Sequence, residues 1–572
     1  MNTIFKHKIL AGAMLCGALF VASSCYEFPM ADPTSVFVQD EQNKNRTTYE
    51  VMTSDPDLTD FIEVINSCGE HCADSLFNKS RVYTVWAPKN GSFNKDSLME
   101  QVKAGYRENV FNRFVKAHVA NHLHAANGTV EDNILMLNNK VVTFKGNRVD
   151  KYTFDGQVVE ETNIRTWNGI LHKISEPSKY KYSIWEYLKL DSRVDSVAKF
   201  LYAFDDTKFS ASSSVMGPIV NGEQTYLDSV FLTTNKLLGD WEGVGRLNVE
   251  DSTYTVYVPT NEAWNEVVKT AYKHFNYHNF DIASKEFTAE VRDSLRNHYS
   301  RINAIKYMTY SDNDQRYIEN SEDSIYPMWK GTSVFRGKHL FAKERLEENV
   351  IFEEKLSNGT FKIIDKSPFN MFELWHDTIK VEGENETMRT LSNSQGLSIS
   401  TPYASKEDIE KDSLFVGTKL SGNSYYAVES ASRTPVTLTY KLPDALSASY
   451  KVAVIIVPAG FPNVVREGEY AAKSSKLTMT LKHIDANNNK KELAKNSNVL
   501  NDPFNVDTIY LTDNKGKPAI FTFPYCEYYK TNNPKDYNLE IEVKTAAGTI
   551  TDKSDRSVRI DAILLIPVED PE

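Results

Sequence analysis

Residues 83–93 read YTVWAPKNGSF, and residues 254–264 read YTVYVPTNEAW. Five of the eleven positions are identical, and the fourth and last are aromatic in both copies. The side chains of YTVWA alternate between faces, as a strand requires. Pro88 and Pro259 end each ladder, because proline has no amide hydrogen to donate. Asn90 and Asn261 suit a turn or helix start, where a short amide side chain bonds nearby backbone N–H groups. Phe93 and Trp264 then return an aromatic ring to the core, and helix-like sequence runs from Lys95 to about Val119. A second matching pair follows each copy: NGILHKISEP at 168–177 and NGTFKIIDKSP at 358–368, each an Asn-Gly turn opening into a strand. The intervals are 85 residues from Tyr83 to Asn168 and 104 from Tyr254 to Asn358. The chain therefore holds two related units, the second enlarged by 19 residues, with the extra length expected after Trp264.

These segments resemble the fasciclin domain. Its hallmarks are a strand ending in an aromatic-Ala-Pro-Thr-Asn-x-Ala-Phe-like segment, a central His-containing segment and a closing Asn-Gly-x-(Ile/Val)-His-x-(Ile/Val)-Asp-like strand. The central segment is FVKAHVANHL around His118 in the first copy; in the second, His298 in LRNHYSRI is the loose match, with long polar insertions around it. The resemblance covers residues 49–178 and 180–368 and implies two compact α+β folds. Some animal fasciclin domains use a Tyr-His pair in the central segment for receptor adhesion. Here Ala117 precedes His118 and Asn297 precedes His298, so that adhesion mode is not carried over.

From Asn370 onward the helical periodicity fades. The runs VTLTYKL (436–442), YKVAVIIVP (450–458), KLTMTLKHI (476–484), IFTFPY (520–525), YNLEIEVK (537–544) and RIDAILLIP (559–567) are β-rich and separated by turn residues. They predict an all-β sandwich, and RIDAILLIP resembles the last strand of jelly-roll carbohydrate-binding modules. Sugar rings offer one apolar face and an edge of hydroxyls, so their sites need aromatic platforms beside amides and carboxylates. Tyr528, Tyr529, Asn532 and Asn533 supply such a set in one expected loop, and Tyr425 and Tyr426 form another pair. The same tyrosines also suit plain packing at the sandwich edge.

Composition limits the function classes. The chain has 572 residues, a net charge of −12 and 12% aromatic residues. That aromatic load needs cores to bury it, so disorder is not the dominant state. No basic stripe is present, which argues against nucleic acid. No G-x-S-x-G elbow, P-loop, H-E-x-x-H or dinucleotide fingerprint occurs. His118 and His122, and again His274 and His278, are four apart and can share a helix face, but no third ligand is evident and packing is the better account. No metal, cofactor or catalytic residue is assigned.

At the start, Lys6, His7 and Lys8 precede an apolar stretch from Ile9 to Ala22, which is 14 residues. That is too short for a bilayer core of about 30 Å and reads as a secretory signal. Ala22-Ser23-Ser24-Cys25 resembles the lipobox of bacterial lipoproteins, whose cysteine becomes the lipidated first residue. Cys68 and Cys72, four apart near a helix end, can pair in an oxidising compartment.

The expected order is a signal peptide (1–24), a tether (25–48), fasciclin-like domains at 49–179 and 180–369, and a jelly-roll-like β-sandwich at 370–572. This layout looks like surface lipoproteins of Bacteroidetes, which often accompany SusC/SusD-type nutrient importers. The resemblance implies a non-enzymatic outer-membrane lipoprotein, exposed at the cell surface, that binds a glycan or another nutrient; the alternative is an adhesin for host or matrix proteins.

Overall fold

The computed structural model describes residues 43–69, 82–220, 222–228, 231–239, 243–277, 288–312, 324–325, 327–329, 341–392, 395–405, 407, 420–430, 435–458, 461, 473–485, 489–526, 539–546 and 554–571. The chain divides into two compact units, Met1–Lys181 and Tyr182–Glu572.

In the first unit, the described residues begin at Asn43, within the stretch expected to be tether. The Arg46 guanidinium donates to the Glu50 carbonyl, and Thr47 caps the Thr48–Ser54 helix in a reciprocal capping box with Glu50. Asp55 starts a 3-10 turn, Pro56–Leu58, that runs into the helix Thr59–Ser67. Phe61, Ile62, Val64 and Ile65 form its buried face. Seven strands follow: β1 (Tyr83–Pro88), β2 (Val119–Asn121), β3 (Val130–Leu135), β4 (Val141–Gly146), β5 (Tyr152–Phe154), β6 (Gln157–Thr166) and β7 (Gly169–Ile174). They make one sheet in the order β2-β1-β7-β6-β5-β4-β3. β1 and β7 pair in parallel and are buried at every position, as strands covered on both faces must be. The helical sequence after Phe93 breaks into the helices Lys95–Lys103 and Arg107–Val110 and a tightening coil that ends at His118.

The second unit opens on the same plan. Ser183 caps the Ile184–Tyr187 helix in a capping box with Glu186, Asp191 starts the turn Ser192–Val194, and the helix Asp195–Tyr202 buries Val197, Ala198, Phe200 and Leu201. A β-ribbon comes next, with no counterpart among the described residues of the first unit. In it β8 (Asp205–Phe209) pairs with β11 (Phe231–Asn235), and β9 (Val215–Val220) with β10 (Glu223–Asp228). β12 (Tyr254–Pro259) and β13 (Thr309–Ser311) flank the long helices Asn261–His274 and Ala289–Ile302. After a short pair, β14 (Ser324–Ile325) and β15 (Phe341–Ala342), come β16 (Val350–Leu356) and β17 (Gly359–Ile364).

The sheet order β13-β12-β17-β16 reproduces β2-β1-β7-β6. The register is the same: Tyr83 opposes Gly169, and Tyr254 opposes Gly359. In both units the tyrosine N–H donates 3.1 Å to the asparagine carbonyl, Tyr83 to Asn168 and Tyr254 to Asn358. Extra length does follow Trp264, but the ribbon lies before Tyr254, outside the interval compared in the sequence. The register also moves the central match. Val119 opposes Val85, and Thr309 opposes Val256, so Met308 stands where His118 stands and Tyr307 where Ala117 does. His298 lies earlier, on the Ala289–Ile302 helix.

Apart from the short helix Met371–Leu374 and the 3-10 turn Ser421–Asn423, the described elements of the rest of the second unit are strands. Its strands are β18 (Ile379–Glu382), β19 (Arg389–Ser392), β20 (Leu397–Ser400), β21 (Tyr426–Ser430), β22 (Thr437–Lys441), β23 (Ser449–Ile456), β24 (Lys476–Ile484), β25 (Lys490–Leu500), β26 (Asp507–Tyr510), β27 (Phe521–Thr522), β28 (Leu539–Thr545) and β29 (Val558–Val568). One sheet runs β20-β21-β29-β23-β26, with β18 on β29 and β27 on β23; the other runs β19-β22-β28-β24-β25. Val428, Val454 and Ile563 of the first sheet share a core with Leu438, Leu477 and Ile541 of the second, which makes a sandwich. The molecule is thus an α+β fold used twice, followed by an all-β sandwich.

That last core is not confined to the sandwich. It continues through Trp375 into Ala271, Phe275 and Tyr307 of the repeat. Polar contacts follow the same seam. Trp375 Nε1 donates to His274 Nδ1 at 2.7 Å, and His274 Nε2 donates to Asp570 at 2.8 Å. The Cys526 thiol donates to the His274 carbonyl at 2.8 Å.

Candidate functional site: a cationic groove on the second repeat

Three helices of the second repeat enclose a groove of about 630 Å³. The Asp195–Tyr202 helix is amphipathic, and the face beside its core stripe brings Ser196, Lys199 and Phe200 to the groove, with Ala203 and Phe204 just beyond its end. Trp264 and Asn265 come from the first turn of the next helix, which Thr260 fixes by accepting from the Ala263 N–H. The Ala289–Ile302 helix supplies Ser294, Asn297, His298 and Arg301, and Lys236 follows β11.

Trp264 and Phe200 are nearly buried and form the floor. Phe204 and His298 make an aromatic wall, their rings edge-on at 5.5 Å. The Lys236 ammonium sits 4.6 Å from the Phe204 ring centroid, a cation–π contact. Burial pushes the His298 imidazole down to about 4, and the Lys236 charge adds to the shift. His298 is therefore neutral near pH 7, while Lys199, Lys236 and Arg301 carry positive charge. Lys199 also pairs with Asp195 at 3.1 Å on the exposed side. Among the described residues, no Asp or Glu lines the groove. These residues offer cations, amides, hydroxyls and an aromatic surface.

The residues singled out in the sequence fall elsewhere. Tyr425 and Tyr426 are not a platform; both are buried. The Tyr425 hydroxyl donates to the Phe461 carbonyl at 3.0 Å, and the Arg389 guanidinium covers the Tyr426 ring at 3.7 Å. These tyrosines alternate into a sandwich strand, so packing is what they do. Tyr528, Tyr529, Asn532 and Asn533 lie outside the described residues, as do Cys25 and Cys72. Cys68 is buried. His118 is a structural histidine: Nδ1 donates to the Phe114 carbonyl at 2.7 Å, and Nε2 accepts from the Ser178 N–H at 2.9 Å. Nothing in the sequence marks the groove, because its lining comes from three separated helices and becomes one surface only on folding.

A second polar cluster lies in the sandwich. Asp561 is buried and accepts from the Ser421 N–H, with Glu382 and Glu384 close by. Burial pushes the Asp561 carboxyl up to about 7, and the two glutamates push it the same way. Ser421 donates to Glu382 at 2.6 Å, and Lys380 pairs with Glu382 at 2.8 Å. Among the described residues, no group of three or more His, Cys, Asp or Glu side chains is disposed to hold a metal ion.

Residues 56–177 match the Fasciclin domain family. The chain is also similar to the FAS1 domain pair of the insect cell adhesion molecule Fasciclin I, at 13% identity and a TM-score of 0.19, covering 55% of this chain and 97% of that one. A family 11 carbohydrate-binding module from Clostridium thermocellum, in complex with a mixed-linked tetrasaccharide, is similar at 11% identity and a TM-score of 0.18, over 34% of this chain and 98% of that one. A xylan-binding domain from Paenibacillus barcinonensis is similar at 8% identity and a TM-score of 0.20, over 34% and 94%. No curated protein matches the chain.

Proposed function

We propose that this protein is a non-enzymatic, lipid-anchored binding protein of the outer-membrane surface, and that the groove of the second fasciclin-like unit takes an acidic saccharide. The observation that carries the reading is the lining: Lys199, Lys236 and Arg301 around an aromatic floor and wall, with serine hydroxyls and asparagine amides and no carboxylate among the described residues. Ring faces suit the apolar face of a sugar, and the cations suit a uronate or sulfate, with charge-assisted hydrogen bonds each worth about 1.5–3 kcal/mol. Hydrolysis of a glycosidic bond normally needs two carboxylates across the bond, and none stands among the described residues of the lining, which supports binding over catalysis. Lipidation at Cys25 would hold the groove at the membrane, and delivery to a SusC/SusD-type importer is the role proposed for the captured ligand.

The test is a glycan array that sets uronate- and sulfate-bearing oligosaccharides against their neutral counterparts. Binding confined to the acidic set, and weakened about tenfold or more by Lys236→Ala with Arg301→Ala, is the expected result. Equal binding of neutral glycans, or binding indifferent to the two substitutions, refutes it. Separately, Cys25→Ala should abolish lipid labelling and release the protein from membranes.

A further inference from the structure

The ribbon β8–β11 is an addition to the repeat, not part of its core. Among the described residues, none of its side chains enters a hydrophobic cluster of the second unit, whereas Leu237, Val244 and Leu247 just after it do. Yet it carries six exposed apolar side chains: Phe209, Met216, Ile219, Val220, Phe231 and Leu232, at 41–69% exposure. Phe209 stacks edge-on to Tyr226 and Phe231, at 4.7 and 5.7 Å, so part of this surface is already gathered into a cluster. A two-stranded ribbon is marginal in water unless further strands or another layer join it, and exposed apolar surface of this kind marks an interaction site.

The edges of the ribbon differ. β8 carries Asp205, Asp206 and Lys208, and charges on an edge deter further pairing. β9 contains Pro218, and the β9–β10 register is broken in two places. β11 is different: Phe231-Leu232-Thr233-Thr234-Asn235 holds no charge, proline or register break, and opposes β8 without interruption. Among the described residues, β8 is its sole strand partner.

We propose that β11 is a self-association edge, and that its occupant is β11 of a second copy of this chain. Antiparallel pairing about Thr233 sets Leu232 against Thr234 of the other copy, and Phe231 against Asn235. No like charges meet in that register. The result is a four-stranded sheet, β8-β11-β11-β8, with the Phe209–Phe231 pairs of both copies on one face, closed by two-fold symmetry. A membrane is the weaker occupant: residues 205–235 hold four carboxylates against one lysine, which an anionic lipid surface would repel, whereas in this register the row through Leu232 and Thr234 ends on Lys208 of one copy and Asp206 of the other.

The full chain in detergent should sediment at twice the mass of one copy. Leu232→Lys with Thr234→Lys should give a monomer with an unchanged melting temperature, since those side chains are exposed and carry no core contact. The partner variant, Leu232→Glu with Thr234→Glu, should also be monomeric alone and should restore the dimer when mixed with the lysine variant. A wild-type monomer at all concentrations overturns the proposal. So does a dimer that survives the lysine pair, or failure of the mixture to reassociate. Wild-type binding to vesicles of zwitterionic and anionic lipid that the lysine pair abolishes would assign the ribbon to a membrane instead.

Discussion

At the residue scale, the Asn-Gly pairs do more than turn the chain. Asn168 accepts from the Thr48 N–H at 2.9 Å and Asn358 from the Ile184 N–H at 2.8 Å, so each asparagine ties the closing strand to the helix that opens its unit. Asn358 also donates to the Leu247 and Val249 carbonyls, both at 2.9 Å, whereas Asn168 Nδ2 has no hydrogen-bond partner among the described residues. At about 1 kcal/mol or more for each buried bond lost, Asn358→Ala should cost more than Asn168→Ala, by denaturant titration of each unit's transition. The glycines cannot change either: a Cβ on Gly359, whose φ is +144, would collide with the Tyr254 carbonyl. Burial lowers His118 and His172 from 6.5 to about 4. The neutral forms therefore favour the fold above pH 6.5, and that stability is lost as pH falls through 4, as much as about 3 kcal/mol for each ring. Asp561 works in the opposite sense. Its raised value of about 7 means stability present below the ordinary carboxylate range and lost as pH rises from about 4 to 7. Asp561→Asn should thus raise the melting temperature of the second unit at pH 8, less so at pH 5, and change little near pH 4, while the first unit, followed separately, should weaken between pH 6.5 and 4.

At the element scale, what the sequence could reveal followed hydrophobic pattern. β24 matches KLTMTLKHI, and β23, β28 and β29 lie within a few residues of the predicted runs, because each buries one apolar stripe or more. β25, Lys490–Leu500, was illegible: it is a polar edge strand whose residues are mostly exposed, so no alternation marks it. IFTFPY shrinks to Phe521–Thr522, since Pro524 cannot continue a ladder. The groove was out of reach for a different reason. Its charges are unremarkable one by one, and only the packing of three helices gathers them. His298 offers a local check on it. An anion bound beside Lys236 would offset the repulsion that helps depress the imidazole, so the His298 NMR titration should move up from about 4 when an acidic saccharide is added; no movement at saturation would place the ligand elsewhere.

At the scale of the whole molecule, the second repeat and the sandwich are one object. Trp375, Phe275 and Tyr307 belong to the same apolar cluster as the sandwich strands, and His274 is held by Trp375, Asp570 and Cys526 together. Cutting at residue 370 would expose that surface. A 370–572 fragment should therefore aggregate or melt well below a 182–572 fragment, and calorimetry of the latter should show a single transition. His274→Ala, which strips two buried hydrogen bonds from the seam, should lower that transition by a few degrees, since about 1 kcal/mol moves a unit of this size by roughly 1–2 °C.

The asparagine tie also sets how the protein bears a pull. In each unit the incoming chain is fastened beside the first residue of the closing strand, Gly169 or Gly359, and the outgoing chain leaves from its last, Ile174 or Ile364. Tension applied between the two ends of the chain would run lengthwise along β7 and β17. Their hydrogen bonds to β1, β6, β12 and β16 would then be loaded in shear, many at once, instead of being unzipped one at a time. Each repeat is in this sense a mechanical clamp, and a pulling experiment on Asn168→Ala or Asn358→Ala should convert a high rupture force into gradual peeling from the opening helix.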